Sequence, residues 1–276
     1  MLVKFNEILD LAAKKNFAVP AFNSYNLETT IGIIQAAEEM NAPIIIQSYS
    51  RLFEYGTAFY LAPSIVHAAQ EASVPVCFHL DHGGSETAVL RGLRYGCTGI
   101  MFDKSSLPFE ENVAQTKRVV DICSAVGICV EGELGHIGLA KDATDEFVYT
   151  EVEDAVKFVE QTGVISLAVQ VGVAHGRYKK APKLNIPRIK EINEAIPACV
   201  VLHGGSGIPD EQIRAAIEAG IRKVNFGTDV CYSLLDKIFE TSRDIVPVDV
   251  FMRDAIAAVK AFAISKIQLL GADGQA

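Results

Sequence analysis

The stretch Val76-Cys77-Phe78-His79-Leu80-Asp81-His82-Gly83 is an apolar run that ends in a carboxylate, an imidazole and a glycine. The pattern recurs twice. His175-Gly176 follows the largely apolar residues 167–174, and His203-Gly204 follows Cys199-Val200-Val201-Leu202. Three of the six histidines therefore stand at the ends of strand-like runs far apart in the chain. Imidazoles so placed meet only if the strands run parallel around a common centre. Met there, they make a three-histidine metal site with a coordination position left open for substrate.

Counting outward from these runs gives eight strand candidates: 17–22, 43–47, 74–80, 99–102, 128–131, 166–172, 198–202 and 223–226. Between them lie stretches with apolar residues at helical spacing, such as 27–40, 86–95, 111–126, 152–162, 209–219 and 230–243. Alternation of this kind implies parallel strands joined by right-handed crossovers. Eight such units favour closure into a (β/α)8 TIM barrel over an open sheet. The 276 residues suit one such barrel, and no linker or shift in composition divides residues 1–276 into smaller domains. A last helix over 254–270 is expected to close the barrel, and the loop 135–150 is long enough to serve as a mobile lid.

In such barrels the functional face is formed by the loops that follow the strand C-termini. Read in order, those ends carry Asn23, Ser48, Asp81 with His82, Asp103, Glu133, His175, His203 and Asn225. One mouth would then hold three imidazoles, three carboxylates, two amides and a hydroxyl. Any one of these alone reads as readily as a capping or turn residue. Their conjunction does not. Neutral imidazole suits Zn²⁺, and the long spacing between the histidines excludes a finger-type structural site. Asp103 and Glu133 are placed either to bind a second cation or to orient the ligating imidazoles. His79 and His67 read as core histidines, and His136, near Glu133, is left open.

Two glycine-rich turns follow the last strands: His203-Gly204-Gly205-Ser206-Gly207 ahead of a helix near Pro209, and Asn225-Phe226-Gly227-Thr228-Asp229. Free backbone N–H groups at a helix start, with Ser and Thr hydroxyls, suit a phosphate. Gly176 and Lys179 add a third wall and a cation. A tight turn needs glycine in any case, so the signal rests on two such turns lying beside a metal-binding histidine.

Half the residues are hydrophobic and 21% are charged, which supports a large core. A net charge of −9 excludes nucleic acid and acidic membrane as main partners, so an anionic substrate must be held by local features. The first residues lack the apolar core of a signal peptide, and no apolar run reaches the roughly 18 residues of a membrane span. The six cysteines form no Cys-x-x-Cys pair; Cys77, Cys129 and Cys199 lie in apolar runs and read as free buried thiols. A cytoplasmic location is expected.

Five ordered motifs carry a resemblance: Leu80-Asp81-His82-Gly83, Glu131-Gly132-Glu133-Leu134-Gly135, Ala174-His175-Gly176-Arg177-Tyr178-Lys179, His203-Gly204-Gly205-Ser206-Gly207 and Lys223-Val224-Asn225. Together they resemble the class II metal-dependent ketose-bisphosphate aldolases, which include fructose- and tagatose-bisphosphate aldolases. The likeness is collinear from Ala21-Phe22-Asn23 to Leu270-Gly271-Ala272. It implies a catalytic Zn²⁺ on His82, His175 and His203, with Asp81 as the acid/base for the C4-hydroxyl proton. It implies a second or alternate divalent site at Asp103 and Glu133. Dihydroxyacetone phosphate would sit on Gly176, Gly204, Gly205, Ser206, Asn225, Phe226, Gly227 and Thr228, with a monovalent cation (Na⁺ or K⁺) near its phosphate. Asn23, Ser48 and Lys179 match substrate-contact positions, and a homodimer or higher homo-oligomer is implied. Retro-aldol cleavage through a metal-stabilised enediolate needs no Schiff-base lysine, although a nucleophilic role for Lys179 is the alternative.

Two departures bear on substrate. The loop glutamate that many members use for proton exchange falls on Lys141, with Asp142 or Glu146 as replacements. Asp249 stands where the family carries an arginine for the distal phosphate, inside Ile245-Val246-Pro247-Val248-Asp249-Val250. Either the distal end is not phosphorylated, or another cation such as Arg51, Lys104 or Arg253 grips it. Two other activities fit the same residues less fully: a metal-dependent sugar-phosphate isomerase or epimerase, and a non-catalytic subunit that stabilises an aldolase.

Overall fold

The computed structural model describes residues 1–140, 148–176, 178 and 181–276. Eight parallel strands close into a ring in chain order: β1 (Val19–Asn23), β2 (Ile44–Tyr49), β3 (Val76–Gly83), β4 (Gly99–Phe102), β5 (Val130–Leu134), β6 (Ser166–Val169), β7 (Cys199–Leu202) and β8 (Ile221–Phe226). Pairing of β1 with both β2 and β8 completes the barrel. β3 continues past the expected residue 80 to Gly83, and β5 begins and ends later than expected, so that Glu131 and Glu133 both lie within it. β6 stops at Val169, earlier than residue 172, because the Gln170 side chain then takes over the backbone. Its Oε1 accepts from the N–H groups of Gly172 and Val173, and its Nε2 donates to the Val173 carbonyl.

Helices cover the outside of the ring. The expected ones are present, among them Leu27–Glu39, Glu86–Arg94, Phe109–Ser124, Val152–Thr162, Asp210–Glu218 and Thr228–Glu240. Ser85 caps Glu86–Arg94 by accepting from the Ala88 N–H, and Asn26 caps Leu27–Glu39 through Thr29. The final helix, Val248–Leu269, starts earlier than expected and packs along Leu27–Glu39. Gly32 permits that approach: a Cβ there would lie 2.8 Å from Val259. His67 sits exposed on the helix Ala58–Glu71, not in the core as expected, because it falls on that helix's outer face. Cys77 is buried as expected, whereas Cys129 and Cys199 are only half-buried at the strand starts.

The N-terminal helix Phe5–Lys15 plugs the bottom of the barrel. Val3 and Phe5 donate their N–H groups to Val76 O and Thr98 O, which seats the Phe5 ring under the strands. That ring lies 4.6 Å from the imidazole of His79, which is fully buried and packed as a core residue. Burial, the nearby Lys223 charge next, pushes the His79 pKa down to about 3 and keeps it neutral. Removing the plug leaves a cavity at the closed end. Phe5→Ala is expected to lower stability by about 3–5 kcal/mol, read as a lower denaturant midpoint with unchanged m-value.

Candidate active site

The order of residues in β3 explains how two adjacent side chains reach one mouth. In a regular strand neighbours point to opposite faces. Here the β3–β4 register shifts between Leu80 and Gly83, and His82 adopts φ +50°, the left-handed region that side chains other than glycine rarely occupy. Asp81 and His82 therefore both line the cavity, and the strain sits at the site. Gly83 is required by close approach: a Cβ would lie 2.6 Å from Met101 O. Gly83 in turn accepts from the Asp103 N–H at the end of β4.

His82, His175 and His203 converge. One nitrogen from each lies within 4.8 Å of the others, and the ring centroids are 4.8, 4.9 and 5.7 Å apart. Two of the rings are held from behind, those of His82 and His203. Asp103 Oδ2 accepts from His82 Nδ1 at 2.8 Å, which leaves Nε2 with its lone pair facing the cluster. Glu131 Oε1 accepts from His203 Nε2 at 3.0 Å, which leaves Nδ1 facing His82 Nε2 at 3.1 Å. Two lone pairs 3.1 Å apart repel unless a proton or cation lies between or beside them. His175 Nε2 is buried and has no hydrogen-bond partner among the described residues. Three imidazole nitrogens with this orphaned donor set fit a divalent cation, with His82, His175 and His203 as the residues that would hold it.

The electrostatics agree. Burial opposes protonation of His82, yet Asp81, the hydrogen bond to Asp103 and Glu133 outweigh it and push its pKa up to about 10. Burial, then the charge on His82, drives His175 down to about 3 and His203 well below the usual histidine range. Burial opposes ionisation of Asp103 as well, but its contact with His82 and the hydrogen bonds from Ser105 hold it well below the usual carboxylate range. The same carboxylates favour positive charge at the cluster, either a proton on His82 Nε2 or a divalent cation that displaces it and leaves all three imidazoles neutral. Glu133 is pushed up to about 8, first by burial and then by Asp103. His82, Asp103 and Glu133 form a second group of potential ligands. It shares His82 with the first, and Asp103 is already engaged in orienting that ring.

Beneath the histidines lies a pair that sequence reasoning left unassigned. Glu131 and Lys223 are both fully buried, and Lys223 Nζ donates to Glu131 Oε1 at 2.9 Å. The signal was present as charged residues inside otherwise apolar strand runs. On the opposite side, Asn23 Nδ2 and Asn225 Nδ2 donate to the two oxygens of Asp81 at 2.8 and 3.3 Å, and Gln47 Nε2 donates to Asn23 Oδ1. Asp81 Oδ1 lies 3.9 Å from His82 Nε2.

These groups open into a cavity of about 450 Å³. Asn23, Asp81, His82, His175, Gly176, Gly204, Ser206, Asn225, Gly227 and Thr228 line it, as the sequence led one to expect. Gly204 has φ +60° and a Cβ there would lie 2.4 Å from Ala174 O, so the turns after β6 and β7 touch only because it is glycine. Tyr178 locks the two turns: its hydroxyl accepts from the Ala174 N–H and donates to Gly204 O. Ser206 Oγ accepts from the Asp229 N–H at the start of Thr228–Glu240.

Other expected residues are elsewhere. Ser48 points away from the cavity, its hydroxyl 3.4 Å from Ser24 O, because the period of two in β2 sends Gln47 and Tyr49 inward. Phe226 is fully buried against Phe22 and Phe262 for the same reason, and Gly205 packs on Val224 and Asn225. Asp249 lies exposed in the first turn of Val248–Leu269, where a carboxylate favours the helix dipole; it does not line the cavity. His136 Nδ1 lies 3.1 Å from Ser105 Oγ, outside the three-histidine cluster. Lys179, and the residues 141–147 that contain Lys141, Asp142, Glu146 and the centre of the lid expected over 135–150, fall outside the described residues. Tyr25, Tyr49, Arg51, Leu139, Cys231, Tyr232 and Leu235 complete the lining. Of these, only Arg51 had been named.

Comparison with known proteins agrees over the full length. The family model for class-II fructose-bisphosphate aldolase matches residues 3–275. The chain is 39% identical over 269 residues to the uncharacterized protein YdjI of Escherichia coli K12, covering 96% of each. It is 38% identical over 308 aligned residues to a fructose-bisphosphate aldolase of Thermus caldophilus, covering 100% of both. The crystal structure of the YdjI aldolase superposes with a TM-score of 0.91 at 36% identity, covering 100% of both chains.

The hydrogen bond from His203 to Glu131 makes a specific demand. Glu131→Gln keeps the shape but replaces an ionic acceptor with an amide. Metal affinity is expected to fall by about 10- to 100-fold, measured by competition against a chelator of known affinity. Unchanged affinity would show that Glu131 does not orient the ligand.

Proposed function

The chain belongs to the class-II fructose-bisphosphate aldolase family and is an aldolase, a carbon–carbon lyase; from that premise we propose that it uses Zn²⁺ to cleave a ketose 1-phosphate, or a 1,6-bisphosphate of the fructose or tagatose type, into dihydroxyacetone phosphate and an aldehyde. The observation that carries this reading is the convergence of three histidine nitrogens beside a carboxylate gripped on both oxygens. A divalent cation held there supplies a Lewis acid that stabilises the negative charge formed as the C3–C4 bond breaks.

Asp81 removes the proton of the C4 hydroxyl while the C3–C4 bonding electrons pass into the enediolate of the three-carbon fragment. C4 becomes the aldehyde carbon. A proton delivered to C3 then gives dihydroxyacetone phosphate, and the reverse sequence makes the bond. Amide donors from Asn23 and Asn225 fix the direction in which the Asp81 oxygens point. The substrate's 1-phosphate is assigned to Gly176, Gly204, Ser206, Gly227 and Thr228, beside the start of the helix Thr228–Glu240, whose positive dipole end favours an anion while Ser206 Oγ accepts from the Asp229 N–H. The chemistry requires no Schiff base: Lys223, inside the barrel, is engaged by Glu131, and Lys179, the alternative nucleophile, lies outside the described residues. A cytoplasmic homo-oligomer fits this metabolic role, and no helix among the described residues is long and apolar enough to cross a membrane.

Two measurements test the reading. Chelation is expected to abolish release of dihydroxyacetone phosphate in a coupled assay, and added Zn²⁺ to restore it; activity untouched by EDTA overturns the mechanism. The coupled assay also separates cleavage from isomerisation, which releases no three-carbon product. Asp81→Asn is expected to bind metal as the parent does while kcat falls by about 10²- to 10⁴-fold, read by metal analysis beside steady-state kinetics.

A further inference from the structure

Glu131-Gly132-Glu133 and Lys223-Val224-Asn225 each place a charge two residues before a side chain of the site. Lys223 lies within β8 with no exposed surface, and its ammonium donates to Glu131 Oε1 at 2.9 Å. Withdrawing an ammonium and a carboxylate from water is costly, and an apolar pair of the same volume would hold a barrel together as well or better. Stability alone does not account for the pair. Nor does Lys223 line the cavity, so a substrate carbonyl bound there does not reach its ammonium.

The partner of Lys223 gives the more specific clue. Glu131 Oε1 accepts from Lys223 Nζ at 2.9 Å and from His203 Nε2 at 3.0 Å, so one oxygen carries both contacts. The other oxygen meets the Ser166 hydroxyl at 3.4 Å. A carboxylate turns readily about its last torsion, and two donors on one oxygen stop that rotation. With the ammonium gone, either oxygen could swing to His203, and the ring would lose its fixed acceptor. The ammonium also occupies the cation's place beside Glu131. That carboxylate is accordingly absent from both groups of potential metal ligands, although it touches a member of one.

We propose that Lys223 is a positioning residue for the metal site: it fixes Glu131 Oε1, and through that oxygen it holds the His203 ring with Nδ1 turned to the cluster. Period-two alternation puts Lys223 and Asn225 on the same face of β8. One strand then acts on both working parts of the site, on the base Asp81 through Asn225 and on the ligand His203 through Lys223. This inference rests on the metal-dependent aldolase reading and adds a residue that acts on a ligand from two contacts away.

The test reads the zinc affinity of the full-length protein by competition against a chelator of known affinity. Lys223→Met keeps most of the volume and removes the donor. Affinity is expected to fall by about 10-fold, the low end of the range for groups that orient a ligating imidazole. The sign separates the roles. A lysine that only packs leaves affinity unchanged, and one that acts on the cation by its own charge tightens binding when neutralised. Either result overturns the proposal. A double-mutant cycle with Glu131→Gln locates the path of the effect. Adding Lys223→Met to Glu131→Gln is expected to change affinity by less than about threefold, because the oxygen through which Lys223 acts has already lost its charge. A larger further change overturns the proposal. That comparison also decides the matter if Lys223→Met alone does not fold, since the double variant leaves no buried charge unpaired at this position. If the parent itself binds no zinc, the metal reading fails. If the parent binds zinc and Lys223→Met binds it as tightly, the assignment of Lys223 alone fails.

Discussion

A single oxygen at the centre of the barrel, Glu131 Oε1, accepts from His203 and from Lys223 and so ties β5, the turn after β7, and β8 together. Burying a carboxylate and an ammonium costs several kcal/mol each, and only their mutual contact and hydrogen bonds offset it. The arrangement is poor as a stabilising device compared with apolar packing. What it does is fix a tautomer. Because Glu131 can only accept, His203 must carry its proton on Nε2, and Nδ1 must face His82. The ligand geometry is thus set from beneath, by the strands, before any loop contributes.

The same logic repeats around the ring. Asp103 from β4 holds the β3 imidazole, Asn23 and Asn225 from β1 and β8 hold the β3 carboxylate, and Gln47 from β2 holds Asn23. His82, His203 and Asp81 each take their orientation from residues on or next to other strands. Such a network needs a closed barrel, since an open sheet would separate β1 from β8. It also explains why the interior is not filled by branched aliphatic residues alone. The apolar packing lies lower, where Phe5 and His79 close the bottom, and between the strands and the outer helices.

Much of this was legible in the sequence for one reason: an apolar run that ends in His-Gly states both a strand and its direction. His82, His175, His203 and Asp81 are found that way, and these three runs with five further apolar runs give the barrel. Glu131 and Lys223 were missed because a charged residue inside a run reads as the edge of a strand, not as one half of a buried pair. Ser48 and Phe226 were misplaced by treating the end of a strand as a point. The period of two sends their neighbours Tyr49 and Asn225 inward instead. Tyr25 and Tyr49 carry no motif at all: they stack on a guanidinium that follows β2, which only the folded chain brings to them.

The net charge of −9 opposes the approach of an anionic ligand, but only over a short range. At physiological ionic strength, fields from surface charges fade over about 8 Å, while groups in a partly buried cavity interact through a medium less screening than water. Local features therefore dominate inside the cavity, the start of Thr228–Glu240 and the guanidinium of Arg51 among them. They are spread around the mouth, not pooled. The negative surface then disfavours nucleic acids and other polyanions without weakening the grip on a ligand small enough to enter.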